Sequence, residues 1–472
     1  MNELKVNHGF VYTCLFLFFG TVGVASYSTN FYWLFLSPGL LIIYFLIQYP
    51  KYLFLLLIAS IPWSAEFSFN PGLGTDLPDE PLMVLTACTI LFYIVFNKKY
   101  FTTISHPVFL IIILELAWVA VIILFSSNQL ASLKYLLAKS WYILAFLFAP
   151  VLLWKNKNLF KESVIILFIS MMLVTCIILF REGMYNFKFS DINKSVHPFF
   201  RNHVNYSSLL VCMVPIELAI ISLAVLKRIK GLVIILVLIT ITAIYFSYAR
   251  GAWLALFTGA AAYWLIRRRI LLVSFLFISL IIVGAIVYLK YDEHYLNYSN
   301  NFKTTIFHTN FEEHLQSTYQ LKDLSTAERF YRWVAGIRMT KDSWKTGFGP
   351  TTFYQEYKSY TLPAFKTWVS KNEEHSTVHN YFLLMIIEQG VIGLLLFFSL
   401  LIVAFSYIEK IYRKARDRYS RVVISSCGAI LIMVCTLNFL SDLIETDKVG
   451  SIFYLCIAVI VMLNPQPIRA DN

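Results

Sequence analysis

Apolar runs of membrane-crossing length recur from Phe10 to Leu463, and they narrow the folds open to this chain more than any other feature. Hydrocarbon offers backbone N–H and C=O groups no partners, so each crossing must satisfy its own as a helix. We read about fourteen runs, near 10–27, 31–48, 52–63, 81–97, 107–125, 137–154, 162–181, 206–226, 231–247, 252–266, 270–288, 380–407, 421–440 and 449–463. The third is short enough to insert only halfway. With 58% hydrophobic and 14% charged residues, the chain lies outside the range of a soluble domain, which is nearer half apolar and a quarter charged. The fold expected is an all-α polytopic integral membrane protein of about 12–14 transmembrane helices, with one large helical periplasmic loop between late spans.

Charge orients it. The net charge of +12 does not point to nucleic acid, because the clustered Lys and Arg sit in short loops between spans. Lys98–Lys99, Lys155–Lys161, Lys227–Lys230, Arg267–Arg269 and Lys410–Arg421 all fall on one side when fourteen spans are threaded with the N-terminus inside. That is the cytoplasmic signature. The first run reads as an uncleaved span, and both termini are expected inside. The other side receives 64–80, 182–205, the turn "SYARG" and a segment from Tyr291 to Val378. Three regions follow: an N-terminal helix bundle over 1–288, a large outer loop over 289–378 and C-terminal helices over 379–472. The seven cysteines lie in apolar runs and read as buried small hydrophobes, without a disulfide framework.

Polar chemistry collects on the outer side. In the long loop, an amphipathic helix is expected near 326–345. Ser325 and Glu328 make a capping box, Phe330, Trp333, Val334 and Ile337 share a face, and Gly347 and Gly349 end it. Arg329 and Arg332 sit in its first turns, where cations oppose the helix dipole and a bound anion would reward them. Arg201 and His203 precede one span, Arg250 occupies the "SYARG" turn, and His379 with Asn380 opens another span. Arginine suits diphosphate because its planar fork is permanently charged and bidentate. Histidine suits proton abstraction because its ordinary pKa is near neutrality. The plainer readings are a snorkelling Arg250, loop charges at Arg201 and an interfacial His379. His375 and His379 beside Glu373 and Glu374 lack a third zinc ligand, so no metal site is expected. Glu115 and Glu217 lie inside spans, a weak transporter signal.

Four stretches carry a resemblance. His379-Asn380, then Gly390 and Gly393, fit one motif without a gap. Arg329 and Trp333, followed by Gly347 and Gly349, fit a second, and "SYARGAW" a third, with Ala249 between the serine and Arg250. "DEPLM" before the fourth span fits as well. Together they resemble the bacterial O-antigen ligases and the related polymerases of lipid-linked surface polysaccharide. The resemblance implies a metal- and cofactor-free glycosyltransferase of the bacterial inner membrane, with its active site on the periplasmic face. The donor would be a glycan on undecaprenyl diphosphate. The acceptor would be the lipid A core for a ligase, or another lipid-linked glycan for a polymerase. His379, Arg250 and Arg329 would be catalytic, and Arg201, Arg332, Asn380, His203 and Trp333 would bind substrate. Gly390 and Gly393 would form a helix-packing notch within the bilayer, with Gly347 and Gly349 structural. A protein O-glycosyltransferase and, from another class, a polysaccharide or lipid transporter are the rival readings.

Overall fold

A computed structural model describes residues 20–21, 36–70, 73–96, 106–223, 230–298, 324–367, 370–372 and 376–463. Helices α1 (Leu36–Gln48) and α2 (Pro50–Ser60) lead into a β1 (Ala65–Asn70)–β2 (Leu73–Leu77) hairpin. Then come α3 (Asp79–Phe96), α4 (Pro107–Ile123), α5 (Gln129–Leu153), α6 (Lys157–Met184), α7 (His203–Ser222) and α8 (Lys230–Phe246). The series continues with α9 (Arg250–Arg268), α10 (Leu271–Lys290), α11 (Leu324–Met339), α12 (Tyr381–Lys414), α13 (Arg418–Leu440) and α14 (Asp447–Leu463). Every expected span after the first has its helix, and the first falls almost wholly outside the described residues. Among the described residues, seven helices are long and apolar enough to cross a membrane. At eleven residues, α2 is about 16 Å long, half a hydrocarbon core.

Local sequence sets the helix starts. Asn128, Asn202 and Asp417 each accept a hydrogen bond from a first-turn N–H of α5, α7 and α13. His106 does the same for α4, with Pro107 at the position where a missing N–H is harmless.

Among the described residues, the basic loops at 155–161, 267–269 and 408–421 gather at one end. There Arg418 donates to Ser222 Oγ at 3.2 Å, Lys161 lies over the Tyr419 ring and Leu272 N–H donates to Glu409 at 3.0 Å. At the opposite end Ser127 N–H donates to Phe348 O, Tyr248 Oη donates to Phe187 O and Lys448 Nζ donates to Ile61 O. A cysteine at exposed Lys358 should therefore react with an impermeant maleimide in intact, outer-membrane-permeabilised cells, and one at Arg416 only after lysis. The reverse pattern would invert the threading. The background needs care: Cys88 and Cys176 face outward from the bundle, contrary to the expectation that all cysteines are buried, because that face meets lipid rather than protein.

The expected span 380–407 is not one helix. In a straight helix Tyr381 and Phe397 would stand about 24 Å apart. Instead their rings lie 5.0 Å apart, and Phe382 and Phe398 lie 5.6 Å apart. The chain reverses at Gly390, whose φ of 68° and ψ of −174° suit glycine alone. A short arm, 381–389, thus folds back along a long arm, 391–414, and only the long arm crosses.

What holds the bend is the loop between α11 and α12. Phe348 and Gly349 N–H donate to Ile387 and Glu388 O, and Val391 N–H donates to Trp344 O. Trp118 donates to Gln389 O, while the Glu388 carboxylate accepts from the N–H groups of Thr351 and Phe353. Orphan groups at both arm ends are satisfied this way. The backbones lie so close that a Cβ at Gly390 would stand 2.1 Å from Lys345 O, and one at Gly347 would stand 2.3 Å from Glu388 C. Gly390 and Gly393 are therefore not a helix–helix notch. The first admits a loop, and a Cβ on the second would strike Gln389 across the bend, at 2.4 Å.

Helix α11 ends at Met339, earlier than expected, and the chain then turns through 340–347 to reach the bend. On its expected apolar side Trp333 packs on Phe439 of α13, and round the helix Gly336 lies against Ile387, Leu383 and Val378. Glu328 does not close a capping box; Thr367, Ser370 and Arg332 take its oxygens. Within the bundle Glu115 pairs with Lys139 at 2.7 Å, and Glu217 accepts from Thr240 at 2.7 Å. Both intramembrane acids thus have a partner within the bundle.

Candidate functional site

His379 is positioned by backbone. Its φ of +52° is left-handed, an uncommon conformation for a side-chain-bearing residue. Its N–H reaches Thr377 Oγ1 at 3.3 Å. Asn380 caps the short arm, its side-chain oxygen accepting from Leu383 N–H at 3.0 Å, and Tyr381 N–H donates to Ser441 O at 2.9 Å. Asn380 is buried, and its side-chain oxygen is committed to that cap.

The imidazole lies in a recess, not at the outer rim. The start of α5 is level with the Gly347–Gly349 turn, through the Ser127–Phe348 hydrogen bond. Roughly 9–15 Å further along that helix, Tyr135 donates to Glu445 at 2.9 Å and Lys139 lies 3.8 Å from the same carboxylate. The segment from Ser441 to Glu445 is therefore a floor well below the rim, and His379 stands on it.

Asp442 on this floor accepts from Thr377 Oγ1 at 2.8 Å, and its other oxygen lies 3.9 Å from His379 Nδ1. That is an electrostatic pairing too long for a hydrogen bond. It turns Nδ1 toward the carboxylate, and among the described residues no protein group bonds Nε2. Asp442 escaped the sequence reading. The available signal was the trio Asp442, Glu445 and Asp447 directly after a span on the outer side.

Three arginines act on this one ring. Burial, then the guanidiniums of Arg332, Arg329 and Arg201, push the His379 pKa down to about 3. Burial and these three charges leave His379 neutral and weakly basic. Burial moves Asp442 the other way, raising its pKa, against the lowering pull of Thr377 and Arg201.

The arginines differ in their surroundings. Arg332 is buried and donates to Thr377 O at 3.2 Å and to Glu328 at 3.4 Å, tying α11 to the strand of chain before His379. Arg201 is exposed at the start of α7. Arg250 opens α9, where its neighbour Gly251 meets Leu440, two residues before Asp442. A Cβ on Gly251 would make an ordinary 3.5 Å contact, so close backbone approach does not require glycine there. The Trp333 ring packs edge-on against Phe439 at 5.8 Å, and its Nε1 has no hydrogen-bond partner among the described residues. His203 holds Asn193 through its N–H and ring Nδ1, both at 3.0 Å, so it braces the 189–193 turn.

His375, Glu373 and Glu374 lie outside the described residues, and the described ones contain no group of three potential ligands. Three guanidiniums around His379 would repel a dication. They suit a polyanion.

Residues 235–398 match the profile of the family described as O-antigen ligase. The matched stretch holds Arg250, Arg329, Arg332 and His379, while Arg201 and Asp442 lie outside it. No curated protein matches the chain.

Proposed function

We propose, on the premise that residues 235–398 form an O-antigen ligase family domain, that this membrane protein is a glycosyltransferase working at the His379 recess. The donor is a glycan on a polyprenyl diphosphate, undecaprenyl diphosphate in a bacterial inner membrane. The acceptor is a sugar hydroxyl, that of a lipid A core, and the recess faces the periplasm. The carrying observation is His379 facing Asp442, with Arg332 bonded to Thr377 O two residues before it and the charges of Arg329 and Arg201 also acting on the ring.

The chemistry follows from that arrangement. The acceptor oxygen attacks the anomeric carbon, the bond from that carbon to the diphosphate breaks, and the hydroxyl proton passes to Nε2 of His379. Asp442, facing Nδ1, stabilises the imidazolium that forms. The arginines, Arg250 among them, neutralise the leaving diphosphate as its charge grows, as fixed cations do in other transfer sites. Donor binding also strengthens the base, because a bound diphosphate cancels the positive field that holds the His379 pKa down.

This gives a pH signature. The acid limb reflecting His379 should be absent from kcat/KM down to about pH 5, since the free site titrates near 3. In kcat, which reports the donor-loaded site, the limb should lie at higher pH. Coincident limbs would refute the coupling.

Transfer should also persist in EDTA without added divalent metal, because arginines supply the charge. Loss on chelation, restored by one metal, would contradict this and revive the His375–His379 pair. The deciding experiment is transfer by purified protein from a lipid-linked glycan to lipid A core and, separately, to a second lipid-linked glycan. Transfer to neither acceptor would defeat the reading.

A further inference from the structure

At the basic end of the bundle, far from His379, lies a second cavity that the proposed reaction does not use. Its enclosed part is a slot of about 110 Å³, open on one side. Helices α6, α7, α13 and α14 wall it, presenting Ile165, Ala219, Leu223, Val423, Ile430 and Leu455. The polar groups inside are already engaged. Ser163 accepts from Trp154 and donates to Leu159 O, and Ser426 donates to Pro215 O. The interior thus offers hydrocarbon only.

Its mouth has the opposite character. Lys161 lines it, exposed, with its ammonium 6.0 Å from the Tyr419 ring centre. Arg418 is beside it, one donor on Ser222 and the remainder of its fork exposed. The Tyr419 hydroxyl is buried and has no hydrogen-bond partner among the described residues. Helices α6 and α13 both begin here, so their positive dipole ends add to the cations. Asp417 is the facing acid, and it is occupied by Ser420 N–H and drawn toward Lys157. The neighbouring Glu162 is exposed.

We propose that this cavity is a binding site for one anionic diacyl phospholipid of the leaflet at the basic end. An acyl chain fills the slot, and the headgroup phosphate accepts from Lys161, Arg418 and the orphan Tyr419 hydroxyl. The polyprenyl diphosphate donor does not fit this assignment, because its charge calls for the clustered arginines at the other end. The proposal is independent of the catalytic reading.

The test is native mass spectrometry of the full chain from vesicles containing equal phosphatidylglycerol and phosphatidylcholine. Phosphatidylglycerol should be retained in preference, and Lys161→Glu should cut that retention by roughly five-fold or more, since one interfacial cation is worth about that factor. Ala219→Phe, which fills the slot, should remove retention of both lipids. In the unaltered protein, added phosphatidylglycerol should raise the unfolding midpoint and phosphatidylcholine should not. Equal retention of the two lipids, preference surviving both substitutions, or displacement by undecaprenyl phosphate would each overturn the assignment.

Discussion

His379→Ala should lower transfer by on the order of 10²–10⁴-fold, the usual contribution of a positioned proton acceptor. The protein should still fold, because the bonds that place this residue are backbone ones, from His379 N–H to Thr377 and from Tyr381 N–H to Ser441. Only the ring is removed. The comparison that matters is Asp442→Asn, which keeps the Thr377 hydrogen bond but removes the charge facing Nδ1. It should reduce kcat less than His379→Ala and leave donor binding intact. A folded His379→Ala protein with near-normal transfer would leave the imidazole as an interfacial residue without a chemical role.

The second large effect is structural. Gly390→Ala should destabilise the protein by roughly 4–6 kcal/mol and abolish transfer. Backbone outside the reach of L side chains accounts for about 1–3 kcal/mol. The rest comes from parting the loop from the arm, which loses several hydrogen bonds worth about 1 kcal/mol each. The new methyl has nowhere to go, since Lys345 O would stand 2.1 Å away and backbone cannot swing aside as a side chain can. Thermal unfolding and transfer measured on the same preparation provide the check. An unaltered midpoint would mean that the chain does not reverse at Gly390.

The two predictions differ in how far they could be foreseen. Arg201, Arg250 and His379 stood out because each lies at a span boundary, and Arg329 and Arg332 because they sit in the first turns of the outer-loop helix. The spans were legible because hydrocarbon leaves the backbone one solution. Gly390 was misread. A glycine at helical spacing from Gly393 looks the same whether it admits a neighbouring helix or reverses the chain. The difference lies in Phe348, Gly349 and Trp344, some forty residues earlier, whose backbone groups occupy the bend. Asn380 was equally open to two readings, since an amide can cap a helix or meet a ligand with the same oxygen. The β1–β2 hairpin was missed because "AEFSFN" and "LGTDL" are too short to signal strands without their pairing.

The reversal at Gly390 also has a temporal side. During synthesis the Gly347–Gly349 turn emerges before the segment that it clamps, so the clamp can already have been exported when 381–414 enters the membrane. Taken alone, 380–407 is apolar enough to insert as one straight rod, with His379 carried out to its far tip. Capture of Ile387 and Glu388 by the waiting turn would then fold the rod back and draw the imidazole down onto Asp442. Assembly of the recess would on that topology be ordered in time, with export of the loop first and closure of the proposed reactive centre last.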